Sequence, residues 1–176
     1  GVTLANSVTG TGSMVLSANP TFTGNVTTAN VVTIGTGTYF LSNGNVGVAN
    51  TTAAHKLSVA GFINSLGYID TVTALGNSGT ATNINIVNGG VFTATLNGNC
   101  TFTLQNPSAS GATAFILILT NDGTAGRTVA WSGGTFKYPG GSVTRTTTAN
   151  AVDIWYFMTP NGGTTWYVSI PMANLS

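Results

Sequence analysis

Three aspartates, Asp70, Asp122 and Asp153, make up the entire acidic complement of this 176-residue chain; there is no glutamate. Paired carboxylates could do general acid–base chemistry, hydrolysis of a glycosidic bond for one. Such hydrolysis takes two carboxyl groups flanking the bond, with pKa values pushed apart by their surroundings. The three sit in unlike contexts. Asp122 lies in Asn121-Asp122-Gly123, where its expected task is an Asx turn. Asp153 lies in an apolar, strand-like run with Arg127 or Arg145 as candidate partners, and Asp70 marks a change of texture along the chain. Acids so few and so dispersed are not expected to catalyse anything. A Ser-His-Asp triad would have to use His55, the sole histidine, which lies in a thin stretch where a surface or subunit-contact role is the simpler reading. Cys100, the sole cysteine, excludes an intrachain disulfide. It alternates with Phe102 and Leu104 on one strand face and reads as a small buried hydrophobe, with no basic neighbour to make a thiolate. One Cys and one His make no zinc site, and no acid-rich calcium loop is present, so no cofactor is expected.

Aromatic side chains offer a different chemistry, the stacking of flat faces on sugar rings. Trp131, Phe136, Lys137 and Tyr138 lie in the Gly-rich stretch from Trp131 to Gly141. Glycines let a backbone approach a ligand closely, and loops on a rigid scaffold are where binding residues concentrate. These four residues are the candidate ligand contacts. The competing reading is that Trp131 and Tyr138 cap the core, since aromatics dominate cores. Trp155 and Trp166 sit in patterned runs and are core or interface residues by default.

The elements that must position these residues belong to a chain with very little charge. Four basic and three acidic residues amount to 4% of the sequence, against roughly a quarter in an ordinary soluble domain. Such a surface is poorly solvated, which points to a protein that hides surface against copies of itself. Lys56, Arg127, Lys137 and Arg145 are scattered and the net charge is +1, so nucleic-acid binding, which needs clustered cations, is not expected. The longest apolar run, Ala114 to Leu119, is strand length and far short of the roughly 18 residues of a membrane span. The start, Gly1-Val2-Thr3, lacks an initiator Met and a basic n-region. The expectation is therefore the C-terminal part of something longer.

Helical periodicity is absent. Runs of β-branched and aromatic residues alternate with Gly, Asn, Ser and Pro, which predicts an all-β protein. Residues 1–66 hold only very short apolar runs, at Met14–Leu16, Val31–Ile34, Tyr39–Leu41, Val46–Val48 and Leu57–Val59, separated by turn signals such as Thr36-Gly37 and Ser42-Asn43-Gly44-Asn45. As a monomer this stretch buries too little to offset about 1–2 kcal/mol of backbone entropy per residue. A thin shaft of three wrapped copies would bury more, and an ion held on its axis by three copies of one Asn or Asp stays open. Residues 67–176 carry longer strands, predicted near 83–87, 91–96, 100–105, 113–120, 127–131, 142–148, 151–159 and 164–170. Their apolar-in, polar-out alternation predicts an antiparallel, jelly-roll-like β-sandwich, with Asn97-Gly98 and Asn161-Gly162-Gly163 as tight hairpins. Two strands, Phe115–Leu119 and Ile154–Met158, are apolar on both faces, so a second layer is expected beyond the partner sheet. A neighbouring subunit supplies it in this reading, with Phe115, Leu117, Trp155 and Phe157 as trimer-interface residues.

Particular strings resemble a known family. Residues Val8 to Gly24, VTGTGSMVLSANPTFTG, resemble a linker of bacteriophage tail fibres and tailspikes. Gly44-Asn45-Val46-Gly47-Val48 followed by Thr51 to Gly61 is similar to a pattern of phage fibre shafts, with Ala53 or Ala54 where Pro is usual and Ala49-Asn50 replacing a Gly. Asn121 to Trp131, Tyr138-Pro139-Gly140-Gly141 and Thr147 to Asp153 resemble a β-rich C-terminal domain of tail fibres. The resemblance implies an extracellular virion protein: a homotrimer with a slender shaft and a receptor-binding tip. It implies as partners a host cell-surface glycan or outer-membrane protein, and other tail proteins through a preceding part. A bacterial trimeric surface adhesin and a polysaccharide-depolymerising tailspike are the alternatives.

Overall fold

Short runs rich in Val, Ile, Thr and aromatic residues, broken by Gly and Asn, become strands across the described residues; the protein is all-β. The computed structural model describes residues 32–34, 38–41 and 43–176. The chain divides into two units, Gly1–Leu66 and Gly67–Ser176.

In the first unit, β1 (Val32–Ile34), β2 (Thr38–Phe40), β3 (Val46–Val48) and β4 (Leu57–Val59) form one sheet in chain order. β2 runs antiparallel to both β1 and β3, and β4 runs parallel to β3. The turn into β3 uses Gly44 at φ 76°, and Asn43 Oδ1 accepts the Asn45 backbone N–H at 3.0 Å. Gly47 is obligatory for a different reason: a Cβ there would lie 1.8 Å from the Asn50 carbonyl oxygen. Four of the predicted apolar runs are thus strands. The run at Met14–Leu16, the turn at Thr36-Gly37 and the string from Val8 to Gly24 lie outside the described residues.

The second unit contains β5 (Val72–Asn77), β6 (Ala81–Asn85), β7 (Val91–Leu96), β8 (Cys100–Gln105), β9 (Thr113–Asn121), β10 (Val129–Ser132), β11 (Thr135–Lys137), β12 (Val152–Thr159) and β13 (Thr165–Leu175). They form a six-stranded sheet ordered β11-β13-β12-β9-β7-β5 and a three-stranded sheet ordered β10-β8-β6. From β5 to β11 the chain alternates between the sheets at every strand, so it winds as a flattened coil. The β12–β13 hairpin is inserted between β9 and β11. Ile84, Phe102 and Leu104 from the small sheet share one core with Phe92, Leu96, Phe115, Leu117, Trp155, Phe157 and Trp166 from the large one. Trp131 of β10 joins the two aromatic sets, with ring centroids 5.3 Å from Phe102, 5.1 Å from Trp155 and 4.7 Å from Phe157.

This winding corrects the antiparallel, jelly-roll-like expectation. Five of the seven strand pairings in this unit are parallel, and only β12 with β9 and with β13 is antiparallel. Alternation of side chains has the same period in both ladders, so it fixes the buried face and not the direction of the neighbour. Asn97-Gly98 is accordingly not a hairpin. β7 and β8 belong to different sheets, and the turn arches from one to the other. Successive arches stack: Gly79 N–H donates to Asn97 Oδ1 at 2.8 Å and Thr128 N–H to Asn99 Oδ1 at 3.0 Å. Asn161-Gly162-Gly163 does close the β12–β13 hairpin, with Thr159 Oγ1 accepting the Gly163 N–H at 3.0 Å. The strand predicted over 142–148 is absent, and those residues form a loop. β5 and β11 went unforeseen, being short or rich in small residues.

Phe115, Leu117, Trp155 and Phe157, expected at a subunit interface, are 2%, 0%, 2% and 0% exposed within one chain. They make its core and have no surface left to offer a neighbour. The opposite face of the same strands, with Ile116, Ile118, Ile154, Tyr156 and Met158, is intermediate to exposed.

Candidate functional site

Strand register assembles a site on the outer face of the six-stranded sheet, near its β11 edge. β11 runs parallel to β13 with Lys137 opposite Tyr167, and β13 runs antiparallel to β12 with Tyr167 opposite Met158 and Ser169 opposite Tyr156. The inward neighbours Trp166, Val168 and Phe157 are buried, which turns Lys137, Tyr167, Tyr156, Met158 and Ser169 outward. Directly opposed residues in a sheet stand roughly 5 Å apart at Cβ, so these side chains form two adjacent rows. With Tyr138 they line an open groove of about 550 Å³. Such a volume falls within the roughly 300–1,000 Å³ of small-molecule sites.

Of the four residues singled out from sequence, the fold brings two into this groove and turns two away. Lys137 and Tyr138 line it. Trp131 and Phe136 pack against the core, their rings 6.3 Å apart. Five of the eleven residues of the expected Gly-rich loop are strand, the end of β10 and all of β11, joined through Gly133 and Gly134. Both glycines are forced by close packing. A Cβ on Gly133 would lie 2.3 Å from the Leu104 carbonyl oxygen, and one on Gly134 2.2 Å from that of Gly163. Tyr138 is partly buried at the end of β11, and that burial raises its hydroxyl pKa. It also lines a second, smaller cavity of about 250 Å³ with Trp131, Trp155 and Arg145. Tyr156, Met158, Tyr167 and Ser169 were missed from sequence. Their outward phase was readable from alternation, but the pairing of β11 with β13 that sets Lys137 beside them was not.

None of the three aspartates lines the groove. Asp70 Oδ1 accepts the backbone N–H groups of Thr71 at 2.8 Å and Gly90 at 3.1 Å. Asp122 makes the expected Asx turn, accepting the Thr124 N–H at 3.0 Å, and pairs with Arg127 at 2.9 Å. The hydrogen bond from Arg127 holds its carboxyl below the usual range. Asp153 is 2% exposed and accepts backbone N–H groups of Thr146 at 2.7 Å and Asn174 at 3.1 Å. It makes no ion pair with Arg127 or Arg145. Arg145 donates instead to the Arg127 carbonyl and to Asn121 Oδ1, and burial lowers its pKa while Asp153 partly restores it. His55 is exposed, and Cys100 is buried on the Phe102–Leu104 face. Among the described residues no group of three or more His, Cys, Asp or Glu converges on a metal position, and no helix is long and apolar enough to cross a membrane.

Comparison of the chain with protein-family models, with curated proteins and with solved structures finds no match.

Proposed function

We propose that this chain is a structural and adhesive virion protein, part of a trimeric phage tail fibre that binds a host cell-surface receptor, glycan being the favoured class. In this reading the first unit belongs to a thin trimeric β shaft and the second is the receptor-binding tip, a two-sheet sandwich. Adhesion makes and breaks no bond, which accords with three aspartates committed to backbone and arginine partners.

The observation that carries the reading is the segment from Phe62 to Ile69. Phe62, Ile63, Leu66, Tyr68 and Ile69 are 107%, 69%, 112%, 87% and 99% exposed, in a stretch with no strand of its own. An aromatic side chain alone can bury about 150–250 Å². Five such side chains together expose on the order of 800 Å², the area each partner contributes to a standard protein interface. Large apolar residues at adjacent positions point to opposite sides of an extended chain, so a single flat surface covers only half of them. Copies of the same segment around a common axis cover all of them. Three weak identical receptor sites then act together through effective concentration.

Light scattering and native mass measurement test the assembly. Wild type is expected as a trimer, and Leu66→Ser with Ile69→Ser is expected to dissociate at concentrations where wild type does not. A stable, folded wild-type monomer overturns the assembly. Binding of labelled protein to candidate host cells, with and without removal of surface glycan, tests adhesion. Absence of binding to every susceptible host overturns it.

A further inference from the structure

We propose that the groove lined by Lys137, Tyr138, Tyr156, Met158, Tyr167 and Ser169 binds a carboxylate-bearing sugar residue of a surface polysaccharide. The inference rests on the adhesive reading above and names its ligand class.

Three features of the groove argue for this chemistry. The first is its wall. Tyr156 and Tyr167 are 41% and 50% exposed on the hydrogen-bonded β12–β13 pair, each presenting an aromatic body with a polar tip. Adjacent rows at sheet spacing suit the apolar face of a sugar ring, while the tyrosine hydroxyls and Ser169 Oγ offer donors and acceptors to its hydroxyl groups.

The second is charge. Lys137 is the only charged residue in the lining, and no carboxylate faces it. Among the described residues the one ion pair is Arg127 with Asp122, so the Lys137 ammonium has no acidic partner within the fold. The groove therefore presents one uncompensated positive charge beside neutral donors. A sugar carboxylate supplies one negative charge. A phosphate monoester carries about 1.5 to 2 negative charges at neutral pH, more than one lysine balances, and no arginine lines this groove.

The third is size and rigidity. About 550 Å³ open to solvent admits a stretch of chain rather than one buried ring. The lining comes from three hydrogen-bonded strands, so the site exists before the ligand arrives and little ordering opposes binding.

The test uses the full chain and a defined set of probes: trigalacturonate, a glucuronate-containing heparosan oligosaccharide and sialyllactose, each against its methyl ester, read by calorimetry or ligand-observed NMR. At least one acidic probe is expected to bind roughly two- to fivefold more tightly than its ester, the range of one exposed charge pair. That difference should shrink with added salt. Lys137→Met should abolish the preference by bringing the acid's affinity down towards the ester's. Tyr167→Ala should weaken acid and ester alike by about tenfold, with the assembly confirmed intact by light scattering. Equal affinity for acid and ester in wild type overturns the proposal, as does an acid preference that survives Lys137→Met. Cell binding separates this from the parent reading. Wild-type adhesion that persists in both variants sinks the groove and leaves the fibre standing. Acidic-probe binding by a protein that adheres to no host sinks the fibre and leaves the groove.

Discussion

Replacing Gly98 by alanine tests the stacked arches most directly. Gly98 does not need a left-handed backbone; its φ lies outside that region. Its constraint is a neighbour. A Cβ at this position would stand 2.7 Å from the carbonyl oxygen and 3.2 Å from the carbonyl carbon of Gly79, both backbone atoms of the adjacent arch. Ordinary contact begins near 3.4 Å, so the arches must part by about 0.7 Å. That motion strains the bond from Gly79 N–H to Asn97 Oδ1. Overpacking against a fixed partner costs about 1–3 kcal/mol. Alanine recovers part of this, roughly 0.4–1 kcal/mol, by restricting the unfolded chain. The expected net loss is about 1–2 kcal/mol. With a urea slope of about 1–3 kcal/mol/M, the unfolding midpoint should fall by on the order of 1 M, measured at fixed protomer concentration. Gly123→Ala is the control, since a Cβ there meets nothing within 4 Å and the backbone is not left-handed. It should leave the midpoint unchanged or raise it slightly. If Gly98→Ala proves as stable as Gly123→Ala, the arches do not stack, and Asn97-Gly98 is the solvent-exposed hairpin that its dipeptide implies.

Leu117→Asp places a carboxylate at a position of zero exposure without a partner, a cost of several kcal/mol; loss of the near-ultraviolet circular dichroism of the aromatic core is expected, and a normally folded variant would contradict the core assignment. Asp122→Asn keeps the Asx turn and removes the charge facing Arg127. Because Arg127 lowers the Asp122 pKa in the folded state, the pairing stabilises above the unfolded-state pKa, and the benefit is lost as pH falls through the folded value. Wild type should therefore exceed Asp122→Asn slightly in thermal midpoint at neutral pH, the two converging in acid; a gap that persists in acid would point to another cause. Purified protein should release no reducing ends from host polysaccharide, and release abolished by Asp122→Asn or Asp153→Asn would make it an enzyme.

The buried face of the second unit was legible in the sequence because alternation reports burial. Phe92, Leu96, Phe102, Leu104, Trp166 and Val168 fall inside as their phase requires. Strand partners were not legible. β5, β7 and β9 pair side by side although about twenty residues separate the start of one from the next, and no local signal encodes that distance. Asn97-Gly98 misled for the same reason: a dipeptide that favours a tight turn also suits an arch between sheets. Phe115 and Leu117 misled because a strand apolar on both faces does not say which face the core takes. Lys137 and Tyr138 were found through composition. Their company, Tyr156 and Tyr167, came only from the pairing of β11 with β13.

The coiled path of β5 to β10 has a consequence for how such a protein can change over evolutionary time. Its turns begin at residues 72, 91 and 113, and each strand in them pairs with its counterpart one turn away. A duplication or deletion of one such segment lengthens or shortens the body by one strand in each sheet while every remaining contact type is preserved, as in repeat architectures generally. β5 and β6 are the outermost strands at one end, whereas β11, β12 and β13 lie towards the other end of the large sheet. Length is thus a variable that inheritance can tune at the β5–β6 end, while the residues around Lys137 and Tyr167 diversify independently at the other.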